Sequence, residues 1–305
     1  MNLNVYYDLK YAPVTFDFAT FLVLSNAVRQ NMGLQTMSVQ IVCDQFRSWS
    51  ERDKSTDEIQ KRWRLNHILS KLPFLIPEVD DFGITEDPLR EMMYPSFPQE
   101  YPPPPGIDGT KYRMPYQCHH LTEFYGNKSI NLRPFKASEG ARNLINSTFG
   151  DNVITISLRT SKFQTVRNSN LDEWYKVYQE LKNSKFKPLV IPDFEDYMGD
   201  KLFAKYDWEI YEPAVMDMDI RLAVYEKSAD NLCIQNGTST LLIFSDCKYH
   251  MFKIITKEAH TTSVNYQKEV LLINPGENHR FAAPTGQNLV WEDDNADKIL
   301  KRLNL

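Results

Sequence analysis

VITISLRTSKFQTVRNSNLDEW, residues Val153 to Trp174, changes character twice along its length. Val153–Leu158 alternates β-branched and polar residues, the pattern of a strand entering a core. Where that strand should stop, cations and amides gather: Arg159, Lys162, Gln164, Arg167, Asn168 and Asn170. Asn170 then offers an N-cap, and Asp172 and Glu173 an acidic first turn, for a helix over Leu171–Leu181. Strand, polar loop and helix in this order form one unit of an open α/β sheet. Such sheets bind ligands in the crevice outside the carboxyl ends of their strands. Two arginines and a lysine delivered there select an anion, a phosphate above all, because the guanidinium fork matches a pair of phosphate oxygens. A solvated loop with surface ion pairs is the plainer alternative; its place at a strand's end favours a site.

The alternation continues in both directions. Toward the N-terminus, Leu3–Leu9 reads as a strand with Asp8 near its carboxyl end, Asp17–Asn31 as a helix closed by Gly33, and Ser38–Cys43 as a second strand. Thr56–Lys71 reads as a second helix and Leu72–Val79 as a strand shortened by its prolines. Tyr94–Tyr116, with the run Pro102–Pro105, reads as a surface loop with polyproline pieces. Phe135–Phe149 is expected to be helical and capped by Ser138. Toward the C-terminus follow a strand at Lys187–Pro192, a helix at Asp219–Ala229 capped by Asp219, and a short strand at Leu232–Gln235. A helix or strand at Leu241–Phe244, a strand at Tyr249–Ile254 and a closing helix at Ile299–Leu305 complete the pattern. The expected fold is α/β, two Rossmann-like domains with a cleft between them, divided as 1–150 and 151–305.

Composition narrows the function. The chain has 305 residues, 42% of them hydrophobic and 25% charged, with a formal net charge of −5 and no basic block, so nucleic acid is not an expected partner. No apolar run reaches the length of a membrane span, and no secretory signal opens the chain. The scattered cysteines Cys43, Cys118, Cys233 and Cys247 form no CxxC and suit a reducing compartment. A cytoplasmic location is expected, with the inner membrane face as an option. Trp49, Trp63 and neighbouring cations are candidates for a peripheral membrane contact, an ordinary helix surface being the plainer account. GxGxxG is missing after the first strand and no P-loop occurs, so dinucleotide and P-loop nucleotide sites are not expected.

Asn236-Gly237-Thr238-Ser239-Thr240 lies between a strand and a helix, where N–H groups and hydroxyls can face a phosphate; an ordinary turn is the alternative. Asp193 and Glu195, after Lys187–Pro192, could hold a ribose or base, or be plain loop acids. Asp217-Met-Asp219 has the DxD spacing of a metal-bound sugar-nucleotide site, but helix capping explains Asp219 better, and no metal is expected. Arg221 and Glu226 could face the site or the surface. His119, His120 and His250 lack ligand spacing. Asp8 and Asp17 flank the first strand's exit and could serve as a general base, helix capping being the commoner role for Asp17.

The order ISLRTSKFQTVRNSN, KPLVIPD, DMDIRLAVYEKS and CIQNGTST resembles the donor-binding half of GT-B glycosyltransferases. The likeness is to fucosyltransferase-like and related bacterial surface-polysaccharide enzymes. YYDLKYAPVTFDFATFL and QNLVWEDDNADKIL also resemble stretches of proteins of this type. The resemblance implies metal-independent transfer of a hexosyl or fucosyl group from a nucleoside-diphosphate donor to a glycan or lipid-linked acceptor. No cofactor is implied, because the nucleotide sugar is itself a substrate. It would set Arg159, Lys162, Arg167 and Asn168, with Asn236, Gly237, Thr238 and Ser239, on the donor diphosphate. Asp193 and Glu195 would face the nucleoside, and the acceptor would sit on the N-terminal domain. Most fucosyltransferase-like relatives carry a histidine two places before the arginine, where this chain has Ser157. A nucleotide-sugar epimerase of the same fold and a non-catalytic binding or scaffold protein are the alternatives.

Overall fold

The computed structural model describes residues 1–43, 49–54, 56–85, 100–102, 114–199, 203, 205–283 and 286–305. Its contacts divide the chain into two compact units, Met1–Phe135 and Lys136–Leu305.

The first unit contains β1 (Asn2–Asp8), α1 (Asp17–Asn31), β2 (Thr36–Val42), α2 (Glu58–Arg64), β3 (Val79–Thr85) and β4 (Glu100–Tyr101). All pairings in its sheet are parallel, in the order β3-β2-β1-β4. Along β1, Leu3, Val5 and Tyr7 are buried while the residues between them are partly exposed, the period-two signature of a sheet face on a core. Tyr7 packs on Phe18 and Phe21 of α1 at ring distances of 4.5 and 5.0 Å, and its hydroxyl donates to the Pro13 carbonyl at 2.8 Å. The strand expected at Leu72–Val79 is instead a 3-10 turn, Leu72–Leu75, and β3 begins at Val79. Pro73 and Pro77 have no N–H to give a ladder, so pairing starts beyond them. The helix expected over Thr56–Lys71 starts at the Asp57 cap, which accepts from the Gln60 N–H at 2.8 Å, and relaxes into a wider π turn over Leu65–Leu69. Of the proline-rich stretch, residues 94–99 and 103–113 lie outside the described residues.

The second unit contains α3 (Glu139–Thr148), β5 (Val153–Leu158), α4 (Leu171–Lys182), β6 (Lys187–Pro192), α5 (Phe194–Gly199), α6 (Glu212–Met216) and α7 (Met218–Lys227). It continues through β7 (Asp230–Ile234), α8 (Thr240–Ile243), β8 (Tyr249–Phe252), α9 (Val264–Glu269), β9 (Gln287–Leu289) and α10 (Ala296–Arg302). Its sheet is again all parallel, in the order β6-β5-β7-β8-β9. Every residue of β5 is buried, as a strand covered on both faces requires. Trp174, Val177 and Leu181 of α4 and Ile299 of α10 pack with Ile154, Ile156 and Leu158 of β5 in one apolar cluster.

Three local expectations change. α7 starts at Met218, and its cap is Asp217, whose carboxylate accepts from the N–H groups of Asp219 and Ile220 at 2.8 and 3.0 Å. Asp219 instead accepts from the Ser138 N–H and hydroxyl at 2.7 and 2.6 Å, tying α7 to the cap of α3. Both acids of the DxD are thus engaged in holding helices. Through that tie, and through Glu226 accepting from the Ala137 N–H at 2.8 Å, α3 belongs to the second unit, and the division falls at Phe135/Lys136 rather than at 150. Finally, Asn170 stands at the start of α4 without a side-chain cap bond; its own N–H donates to Asp294 at 2.7 Å.

Candidate functional site

From β5 the chain passes to β6 on one side of the sheet and returns to β7 on the other, so the strand order reverses between β5 and β7. In open α/β sheets such a reversal is where a crevice forms at the carboxyl ends of the strands. Register fills it. Leu158 pairs with Pro192 and Ser157 with Cys233, which brings Arg159, Asp193 and the Gln235–Asn236 turn abreast at the sheet's edge.

Asp193 is the hub on the β6 side. Its carboxylate accepts from the Thr238 hydroxyl at 2.9 Å, from the Asn236 amide at 3.2 Å and from Arg221 Nη1 at 3.5 Å. Arg221 is fully buried and also donates from Nε to the Ala214 carbonyl at 2.7 Å. Burial pushes the Asp193 carboxyl up, while the Arg221 guanidinium pulls it back. For Asp193 the sequence leaves a ribose, a base or a plain loop acid open; in the structure its carboxylate is engaged by these protein donors. Glu195 lies in α5, and its side chain is outside the described ones.

The Asn236–Ser239 turn is locked from within. The Ser239 N–H donates to Asn236 Oδ1 at 2.9 Å and the Ser239 hydroxyl to the Asn236 carbonyl at 2.7 Å. Gly237 gives its carbonyl to the Thr240 hydroxyl at 2.8 Å. The helix that follows, α8, is a single turn, so the expected helix-terminus field is slight and any ligand contact rests on the turn itself.

On the β5 side the two arginines separate in role. Arg159 is 5% exposed and faces inward: its Nη2 donates to the Phe163 carbonyl, and its Nη1 to Asn168 Oδ1 and, at 3.3 Å, to the Gln164 carbonyl. It folds the loop around itself. Asn168, the other partner in that knot, donates from Nδ2 to the Ser161 carbonyl at 2.9 Å. Ser157, where the likeness expects a histidine, is buried against the Tyr225 hydroxyl at 2.7 Å. Lys162 is exposed at the loop's rim.

Arg167 spans the crevice. Its Nη2 donates to the Gln235 carbonyl at 3.0 Å, and its Nη1 to Gln164 Oε1 at 3.1 Å and the Thr261 hydroxyl at 2.9 Å. All three acceptors are neutral, and its Nε is buried with no acceptor among the described residues. Burial, with Arg159 nearby, brings its pKa down to about 10, which leaves it charged at neutral pH. Among the described side chains Arg159, Arg167 and Arg221 thus stand around the carboxylate of Asp193, a local excess of positive charge.

In the first unit, Asp8 accepts from the Lys10 N–H at 2.9 Å, and Asp17 accepts from the Thr15 hydroxyl at 2.7 Å and pairs with Arg52 at 3.1 Å. Two groups were missed by sequence reasoning. Thr261 lies in His260–Ser263, a polar run that carries no motif. Asp294, read only as tail, accepts from Trp174 Nε1 at 2.9 Å and pairs with Lys253 at 3.3 Å. Among the described residues no group of three or more His, Cys, Asp or Glu side chains is placed to hold a metal, and no helix is long and apolar enough to cross a membrane.

No family model matches the sequence, and no curated protein matches it. Among the solved structures that resemble the whole chain are two glycosyltransferases. A glycosyl transferase family 9 protein from Veillonella parvula shares 7% identity at a TM-score of 0.50, over 99% of this chain and 89% of its own. The ADP-heptose lipopolysaccharide heptosyltransferase II of E. coli shares 10% identity at a TM-score of 0.51, over 100% of this chain and 98% of its own. At such identities the likeness establishes the fold alone: an α/β protein with parallel sheets in two Rossmann-like units, the GT-B type.

Proposed function

We propose that the chain is a glycosyltransferase that moves a sugar from a nucleoside-diphosphate donor to a glycan or lipid-linked acceptor. The donor diphosphate would lie across the carboxyl ends of β5 and β7. Arg167 carries this reading: a largely desolvated guanidinium, held by neutral acceptors only, spans the crevice at the point where the strand order reverses. The fold shared with a glycosyl transferase and a heptosyltransferase supports it. As the sugar leaves, negative charge grows on the diphosphate. A fixed arginine stabilises that charge without reorganisation. In this scheme Lys162 at the rim and the backbone N–H groups of Gly237 and Thr238 supply the remaining donors. Asp8, at the carboxyl end of β1, is the acceptor-side base in this scheme; Asp17 is held by Arg52 and Thr15.

The test is a thermal-shift panel of ADP, GDP, UDP, CDP and dTDP on the wild type and Arg167→Met. ADP heads the panel because the E. coli protein is named for ADP-heptose. A nucleotide at about 100 times its dissociation constant stabilises by roughly 2.7 kcal/mol, well within resolution. One nucleotide that shifts the wild type and not Arg167→Met supports the donor site and names its base. No shift with any of them removes the donor reading. Sugar turnover without acceptor would instead identify an epimerase. Arg159→Ala is a poor probe, because it would unfold the loop it organises.

A further inference from the structure

Resting on the donor reading, we infer that Thr261 is a positioning residue for diphosphate binding, clamping Arg167 from the far side of the crevice. Thr261 sits in the loop between β8 and α9 and forms a closed ring with two residues of the β5 loop. Its hydroxyl donates to Gln164 Oε1 at 2.7 Å and accepts from Arg167 Nη1 at 2.9 Å, while Arg167 Nη1 also reaches Gln164 Oε1 at 3.1 Å. Gln164 takes part from the left-handed region, φ 51°, a conformation a glutamine holds only where its surroundings compensate the strain.

The loop that presents Thr261 is fixed on every side. The Thr256 N–H donates to the Thr262 carbonyl at 3.1 Å, and their hydroxyls bond to each other. Ser263 caps α9 through the Tyr266 N–H at 3.1 Å. Gln267, fully buried, donates to the Ile254 carbonyl at 3.3 Å and to Gln235 Oε1 at 3.2 Å. Gln235 in turn receives Arg167 Nη2 on its carbonyl. Loops after β5, β7 and β8 thus hold one guanidinium from three directions.

The consequence follows from counting donors. A guanidinium has N–H groups on Nε, Nη1 and Nη2, five in all. The ring takes Nη1, and Gln235 takes one N–H of Nη2. What remains is Nε–H, which has no protein acceptor among the described residues, together with the other Nη2 N–H. The clamp reserves donors for an oxyanion and fixes their direction. Without Thr261, Nη1 loses a partner and the guanidinium can turn.

The experiment titrates inorganic pyrophosphate and the nucleoside diphosphate found above into wild type, Thr261→Val and Thr261→Ser. Calorimetry gives affinity, thermal melts give stability, and the ¹⁵N–¹H resonance of Arg167 Nε reports contact with the anion. Thr261→Val is expected to bind pyrophosphate about tenfold more weakly, with its melting temperature close to wild type and a smaller Nε shift. Thr261→Ser, which keeps the hydroxyl, is expected to restore both. Unchanged affinity in Thr261→Val while the wild type binds overturns the role of Thr261 alone. A lowered melting temperature with unchanged affinity also overturns it and leaves a purely structural contact. Absence of binding by the wild type overturns the donor reading itself, and this role with it.

Discussion

Arg221 and Asp193 show how a single carboxylate shapes the site from beneath. Arg221 is fully buried, and removing the charge of its partner leaves a buried cation uncompensated, which typically costs about 3–5 kcal/mol. Asp193→Ala should therefore lower the melting temperature sharply as well as loosen the Asn236 turn, whereas Lys162→Ala, on the exposed rim, should leave stability within about 0.5 kcal/mol of wild type. Thermal melts of the two variants side by side check this. His279 carries a second residue-scale prediction. It is 6% exposed, stacks on Phe281 at 5.1 Å, and its Nδ1 has no partner among the described residues, so burial holds its pKa down at about 4 against an ordinary 6.5. The neutral imidazole suits the fold, and the unfolded chain takes up the proton first. Stability from this group is full above pH 6.5 and is lost as pH falls through 4, up to about 3 kcal/mol. His279→Phe should flatten the acid limb of a stability–pH curve measured by urea denaturation between pH 7 and 4. A limb unchanged in the variant would assign the acid sensitivity to other groups.

Elements were legible where local pattern and tertiary context agreed. Val153–Leu158 and Lys187–Pro192 are β-rich runs between polar loops, and the helix expected over Asp17–Asn31 has those bounds as α1, so sequence and structure coincide there. The prolines around Leu72 were read as interruptions of a strand when they deny one, and the short β9 and α9 carry too little periodicity to be seen. The end of α4 is the instructive case. Sequence offers Asn170 as the cap, yet the first N–H goes to Asp294, a residue 124 positions away that no local pattern could connect. The same carboxylate receives Trp174 Nε1 and Lys253 Nζ, and its side chain is only 4% exposed. Asp294→Ala should take an acceptor from three donors at once, leaving Lys253 only the Asn168 carbonyl among the described residues, and cost about 3 kcal/mol. Because Asn170 closes the β5 loop, hydrogen exchange at Ser169–Glu173 should rise in that variant. Unaltered protection there would show that α4 starts without its distant cap.

The candidate donor site draws its residues, Arg159, Arg167, Asp193, Arg221, Asn236, Thr238 and Thr261, from the unit Lys136–Leu305. That unit also has its own apolar core, built around Trp174, Leu158 and Ile299. Expressed alone, residues 136–305 should fold and bind the donor nucleotide with a dissociation constant within about threefold of the full chain. Transfer should be lost, because Asp8 and the proposed acceptor side belong to Met1–Phe135. Where the cut is made matters. A fragment beginning at residue 151, the division the sequence suggested, discards α3. It uncovers the surface of α7 against which Ala141 and Ile145 are buried, and leaves Asp219 and Glu226 without Ser138 and Ala137. Losing two buried apolar side chains and those hydrogen bonds should cost several kcal/mol, so the shorter fragment should melt far lower or aggregate. Calorimetric titration and melting of the two fragments against the full chain decide the matter. Equal stability of the fragments would place α3 outside the folding unit. A tenfold or greater loss of nucleotide affinity in a well-folded 136–305 would mean that the first unit contributes donor contacts.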